Sequence, residues 1–310
     1  MSPSLSSNAF LSAELLFEFW KSNPMKPATD LLVRPRSDAR TATFYSDVFR
    51  ILNEAAIPVL LGGGYALEFY THAGRKIKDL DLFIAREDLQ QIFTVLNRSG
   101  FRTTLVFPHW LGKVGHEDRF IDLIFSSGNG LCEVDALWFE YSRPGSCFGL
   151  PVRFCPPEEM IWSKAFVMER ERYDGADIAH LLLACGKTLD WQRLLSRFGD
   201  HWRVLYSHLN LFDYIYPTEK VCVPQEIRRE CLTRLRNENK ESGNPRKYCR
   251  GPLLSRSQFQ IDTEKFGYQD ARIAPAGRLS REEAARWTAA ANDADKQEAE
   301  CEEEASDKGQ

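Results

Sequence analysis

Apolar and polar positions along this chain change period twice. Residues 13–21 and 40–55 repeat apolar side chains at three- and four-residue intervals, the spacing of one face of a helix. An apolar run at 58–61 then stops at three glycines and reads as the first strand of a sheet. A helix is expected over 65–72, an alternating strand around Asp79, a helix over 87–98, and strands near 101–107 and 120–125. From Pro156-Pro157 onward the period is helical, through 160–168, 178–183, 191–198, 202–214 and 226–239. The pattern predicts an α+β fold: a small mixed sheet with helices over 37–155, then an α-helical domain over 156–240.

The ends carry less pattern. Residues 1–36 form an N-terminal extension whose first ten residues read as disordered. The stretch 240–245 reads as a linker, and 241–292 as a C-terminal arm that keeps Leu253, Leu254, Phe259, Ile261, Phe266 and Tyr268 for docking. Residues 293–310 are acidic, nearly free of large apolar side chains, and read as a disordered tail.

Composition narrows the class. The 310 residues are 43% hydrophobic and 12% aromatic, enough to bury a substantial core. A net charge of −4 leaves no polyanion footprint over the whole chain. No apolar run approaches a membrane span, and the first residues lack the basic-then-apolar order of a signal peptide, so a cytoplasmic protein with no membrane partner is expected. The eight cysteines lack C-x-x-C spacing and read as reduced, mostly buried thiols. Among the six histidines, His109 and His116 are placed in a loop before the 120–125 strand, nearest the candidate site.

The chemistry concentrates between Gly62 and Asp81. Glycines after a strand permit a tight turn and let backbone N–H groups approach an anion at a helix start. No Gly-Lys-Ser/Thr follows, which excludes a P-loop, and Leu67 stands where a dinucleotide fingerprint needs its third glycine. In Lys78-Asp-Leu-Asp-Leu-Phe-Ile84 the two aspartates fall on one face of a strand and the aliphatic residues on the other. Two carboxylates this close repel, and a hard divalent cation with oxygen ligands resolves the repulsion.

Gly63-Gly64 followed by Asp79-Leu80-Asp81-Leu82 resembles the nucleotidyltransferases of the DNA polymerase beta superfamily. The segments around Lys164 and 170–181 are similar to the helical half of minimal bacterial members, including AbiEii-type toxins. The resemblance spans about residues 58–185. It implies a polymerase-beta-like nucleotidyltransferase fold and two magnesium ions held by Asp79, Asp81 and a third carboxylate. It further implies a triphosphate held by Gly63, Gly64 and Lys164, and transfer of NMP from an NTP to a hydroxyl acceptor with loss of pyrophosphate. Asp122 and Asp135 both stand in runs that read as strands. Asp122 is placed first because its run is more continuous, and it is the candidate general base. Tyr65 departs from the small hydroxyl residue many members carry after the glycines, and the interval from Gly64 to Asp79 is long.

Alternatives stay open at this stage. Lys164 lies between Met160 and Met168 at i±4 spacing, which suits a snorkelling lysine as well as a phosphate contact. Arg170, Arg172, Asp174 and Asp177 read as ion pairs on helix surfaces. A toxin acting on tRNA or protein and held by an antitoxin, a catalytically inactive nucleotide-binding regulatory module, and a dinucleotide-binding oxidoreductase are the competing classes.

Overall fold

A computed structural model describes residues 32–33, 39–75, 77–238 and 247–290. The expected helix at 13–21, the first ten residues, the linker at 240–245 and the acidic tail lie outside the described residues. The chain divides into two compact units. The first comprises Met1–Thr104, Gly112–Phe125 and Val134–Pro156, and the second Leu105–Leu111, Ser126–Glu133 and Pro157–Gln310.

The first unit is built on a mixed sheet. The strands of that sheet are β1 (Leu32–Val33), β2 (Leu60–Leu61), β3 (Leu80–Phe83), β4 (Arg102–Phe107), β5 (Leu111–His116), β6 (Arg119–Ile124), β7 (Arg143–Cys147) and β8 (Leu150–Phe154), of which the end of β4 from Leu105 and Leu111 of β5 fall in the second unit. Their spatial order is β1-β7-β8-β2-β3-β6-β5-β4. Strand β3 pairs antiparallel with β2 and parallel with β6, so it is central. Leu60, Leu61, Leu80, Leu82, Ile84, Ile121 and Leu123 are all fully buried. Burying such aliphatic side chains is worth about 1.5–3 kcal/mol each, which gives β3 one registration against its neighbours. The helix Ala39–Glu54 turns Phe44, Tyr45, Val48, Phe49 and Leu52 into this unit's core. These positions follow the expected helical period.

Three expectations fail locally, each for a physical reason. Residues 111–116 were expected as loop, with His116 in it. They form β5, a strand between β4 and β6, and Gly112 leaves room there for the Phe93 ring, which an added Cβ would approach to 3.1 Å. The β7–β8 hairpin was not expected at all. Its turn residues Phe148 and Gly149 both have positive φ, at 54° and 74°. That is the backbone of a two-residue hairpin turn, which usually announces itself as Asn-Gly or Asp-Gly. Here Phe148 accepts the left-handed conformation while its ring packs against Tyr45 and Tyr65 at 5.6 and 5.4 Å. Residues 132–138, read as a strand, are instead an irregular segment ending in the helix Ala136–Glu140. Asp135 caps that helix by accepting the Leu137 N–H at 3.1 Å.

The second unit is mainly helical: Pro157–Ala165, Gly175–Cys185, Trp191–Phe198, Trp202–Ile215 and Gln225–Glu238. Glu159, fully buried at the start of the first of these, is ion-paired to Arg193 and Arg197 of the third. Glu158, also buried, holds Arg193 at 2.7 Å and accepts the Asp190 N–H at 2.7 Å. Charges removed this far from water persist only with such complete pairing. The C-terminal arm is ordered over 247–290. It contains a parallel pair, β9 (Tyr248–Cys249) with β10 (Gln269–Asp270), and a helix over 281–290. Ser280 and Glu283 open that helix as a reciprocal capping box. Trp287 lies over Gly128, and its ring meets Phe107 and Trp110 at 5.0 Å each. Among the described residues no helix is long and apolar enough to cross a membrane.

Candidate active site

The site is assembled in the first unit by the β2 turn and the adjoining strands β3 and β6. Strand β2 is followed directly by Gly62, whose N–H donates to the Asp81 carbonyl at 3.0 Å. The helix Gly63–Thr71 starts at once, and its N-terminus has no side-chain cap because the capping position is Gly62. Gly63 has φ of +51°, and a Cβ placed on it would stand 1.7 Å from Asp81 Oδ2. Only glycine allows this backbone to lie against that carboxylate.

Asp79 is exposed in the approach to β3, and Asp81 is half-buried within it. Asp81 and Asp122 are register partners across the parallel β3–β6 pair. Because paired residues of neighbouring strands project to one face, the two carboxylates stand side by side. Burial pushes the Asp122 carboxyl above its ordinary value. The Lys113 ammonium draws it back and the Asp79 charge adds to the rise. Asp81 and Asp122 are thus neighbours across the strand pair, and the Asp79 charge is felt at Asp122.

Lys113 on β5 is the residue that sequence reasoning missed. Its ammonium lies 2.9 Å from Asp122 Oδ1 and 3.9 Å from the centre of the Phe120 ring. The contact is an ion pair without hydrogen-bond alignment, so Asp122 Oδ1 is buried beside a cation with no directed donor. The available signal was an alternation over 111–116, hidden by Gly112 and Gly115.

Two other candidates sit elsewhere. Asp135 is a helix cap, as described, and not on a strand. Lys164, in the second unit, is held by Asp174 Oδ2 at 2.9 Å and Asp177 Oδ2 at 2.8 Å. Arg172 completes that cluster with a two-nitrogen grip on Asp174, 2.9 Å per bond. Thus Arg172, Asp174 and Asp177 do form ion pairs, but as a network around Lys164 and not as a row on one helix surface. His109 belongs to the second unit, where its ring nitrogen meets the Gly128 carbonyl at 3.1 Å. The thiols described are free, and burial pushes those of Cys132 and Cys147 up to about 12, which leaves them poor nucleophiles at neutral pH.

Oxygen ligands on adjacent strands suit a hard divalent cation, and the undirected buried Oδ1 of Asp122 is an acceptor such an ion would satisfy. Among the described residues no three His, Cys, Asp or Glu side chains already converge as a metal-ligating group. Lys113 stands against one of the carboxylates that would have to do so.

Residues 36–206, more than half of the chain, match the family model described as uncharacterised nucleotidyltransferase. The chain belongs to this nucleotidyltransferase family. The matched stretch includes Gly63, Gly64, Asp79, Asp81, Lys113, Asp122 and Lys164. No curated protein sequence matches this nucleotidyltransferase. Among solved structures it is similar to the antibiotic-resistance factor ANT(2'')-Ia, at 21% identity over 56% of this chain and 98% of that one, with a TM-score of 0.40. The lincomycin-bound lincosamide antibiotic adenylyltransferase LnuA matches at 13% identity over 45% and 94% of the two chains, with a TM-score of 0.33. JHP933 from Helicobacter pylori matches at 14% identity over 66% and 99%, with a TM-score of 0.33. At these scores the likenesses carry no weight for the chemistry of this nucleotidyltransferase.

Proposed function

We propose that this nucleotidyltransferase moves an NMP group from an NTP to a hydroxyl acceptor at the face shared by β3 and β6. The observation that carries the reading is the register pairing of Asp81 with Asp122, with Gly63 pressed on the Asp81 carboxylate. Asp79, Asp81 and Asp122 would hold magnesium, two ions in all, which supply charge neutralisation at the attacking and leaving oxygens. The uncapped start of the Gly63–Thr71 helix presents the Gly63 and Gly64 backbone to the triphosphate, where the helix dipole favours anions.

In the reaction the acceptor oxygen bonds to the α-phosphorus, and the bond from that phosphorus to the oxygen bridging to the β-phosphorus breaks. Pyrophosphate leaves with the bond electrons. The acceptor proton passes to Asp122, the candidate general base. Lys164 is committed to Asp174 and Asp177 in the structure, so the reading does not depend on it.

The test is to incubate purified chain with each labelled NTP and magnesium, using cell extract as the acceptor pool. Labelled product and pyrophosphate are expected from at least one NTP. Asp81→Asn and Asp122→Ala should abolish both, whereas Asp135→Ala should stay active and lose about 1 kcal/mol of stability with its helix cap. Absence of transfer together with absence of metal-dependent NTP binding would overturn the reading.

A further inference from the structure

Beyond the part of the chain that matches the family model, the C-terminal arm encloses a groove of about 830 Å³. Its lining among the described residues runs from Tyr248 to Ala289. Three arginines stand on its walls: Arg256, Arg272 and Arg281. Arg272 is 5% exposed. Its Nε and Nη2 grip Asp270 at 3.1 and 2.7 Å, and Nη2 also donates to the Thr288 hydroxyl at 3.1 Å. Its third nitrogen, Nη1, is buried and has no hydrogen-bond partner among the described residues. Arg256 lies 4.1 Å over the Trp287 ring, and its Nε is buried without an aligned acceptor, the nearest carboxylate oxygen being that of Glu169 at 3.5 Å.

A guanidinium nitrogen taken out of water without an acceptor is costly, and a native fold keeps such a group where an oxygen can come to it. Of the two acidic residues on the walls, one is paired with a cation and one keeps its charge. Asp270 is taken up by Arg272, and Glu264 accepts from Gln260. Arg281, exposed at the start of the 281–290 helix, has no ion-pair partner among the described residues and places a positive charge at the groove. Tyr248 and Tyr268 add aromatic faces to the same walls.

We infer that this groove is a second ligand site, separate from the proposed transfer centre, for a small phosphate-bearing molecule with a planar ring. Arg281 meets the phosphate, Arg272 Nη1 is uncovered to it as the walls adjust around the ligand, and the tyrosines flank the ring. Unused donors select an oxygen-rich anion over a neutral ligand, because only the anion satisfies buried nitrogens with charge-assisted bonds.

The experiment uses the full chain in chelator, so that metal-dependent nucleotide binding at the aspartates is absent. AMP, ribose 5-phosphate, inorganic phosphate and adenosine are titrated by calorimetry, and the melting temperature is followed in parallel. Saturable binding of AMP is expected, weaker for ribose 5-phosphate and phosphate and absent for adenosine. Arg281→Gln, an exposed substitution that leaves the unliganded melting temperature unchanged, should weaken AMP at least ten-fold, and Arg281→Glu should abolish it. Asp81→Asn should leave it intact. No saturable binding by any phosphate probe, binding unaltered in both Arg281 variants, or binding lost in Asp81→Asn would each overturn the second site. A result of the last kind would leave the transfer centre standing, since the ligand would then be bound there.

Discussion

The Lys113 ammonium sits 2.9 Å from Asp122 Oδ1, at the carboxylate proposed to face the acceptor. An ammonium and a divalent cation compete for the same oxygen. Lys113→Met should therefore tighten magnesium binding in the absence of nucleotide by on the order of ten-fold, about 1.4 kcal/mol. Isothermal titration of both proteins with magnesium alone measures this. Unchanged affinity would mean that Lys113 stays at Asp122 when the cation arrives, and that it serves the reaction in place instead of yielding.

Asp122 also has a pH signature. Its folded-state carboxyl is raised by burial. The cost of the buried charge is thus present above that raised value and is relieved as pH falls through it. Asp122→Asn, measured in chelator, should melt above the wild type at neutral and alkaline pH. The gain should shrink through the mildly acid range and vanish where the wild-type carboxyl is already protonated. Parallel melting curves with a constant offset across pH would show that Asp122 does not titrate there.

Gly63 tests the geometry of the turn directly. A methyl group at this position meets Asp81 Oδ2 at 1.7 Å on a backbone with φ of +51°. Gly63→Ala should cost about 1–3 kcal/mol of stability. It should also displace the Asp81 carboxylate enough to reduce transfer on the order of 100-fold. The comparison is Gly64→Ala, whose added carbon first meets the flexible Ile77 side chain, at 2.9 Å, and which should be milder. Equal kinetics for the two variants would remove Gly63 from the site.

Lys164 separates a packing role from a nucleotide role. Its side chain and those of Asp174 and Asp177 are 13%, 9% and 16% exposed, so deleting the ammonium takes a cation from two largely buried carboxylates and leaves Asp174 to Arg172. Lys164→Met should lose about 2–4 kcal/mol of stability by chemical denaturation. The ratio of NTP to NMP affinity in the folded protein should stay at its wild-type value. A selective loss of triphosphate binding would instead return Lys164 to the nucleotide site.

Local chemistry made much of this protein legible. The apolar period placed the helices Trp191–Phe198 and Trp202–Ile215 to within a residue of their expected ends. The alternation around Asp79 and Asp81 gave β3 its two faces, since Leu80 and Leu82 have no alternative to burial. The glycines and aspartates were visible because their spacing along one chain segment already implies a turn beside a carboxylate pair. What lies across strands was not. Lys113 and Asp122 are nine positions apart, and nothing local to either says that β5 and β6 are neighbours. The β7–β8 hairpin was hidden because Phe148 occupies a left-handed position that local propensity disfavours and aromatic packing against Tyr45 and Tyr65 stabilises. Lys164 read as a lone cation on an apolar helix face until the fold brought Asp174 and Asp177 to it. Side-chain period and turn chemistry are properties of neighbouring residues and survive in the sequence. Sheet order, ion-pair partners and the choice between Asp122 and Asp135 as the strand-borne carboxylate depend on long-range packing, which only the tertiary structure decides.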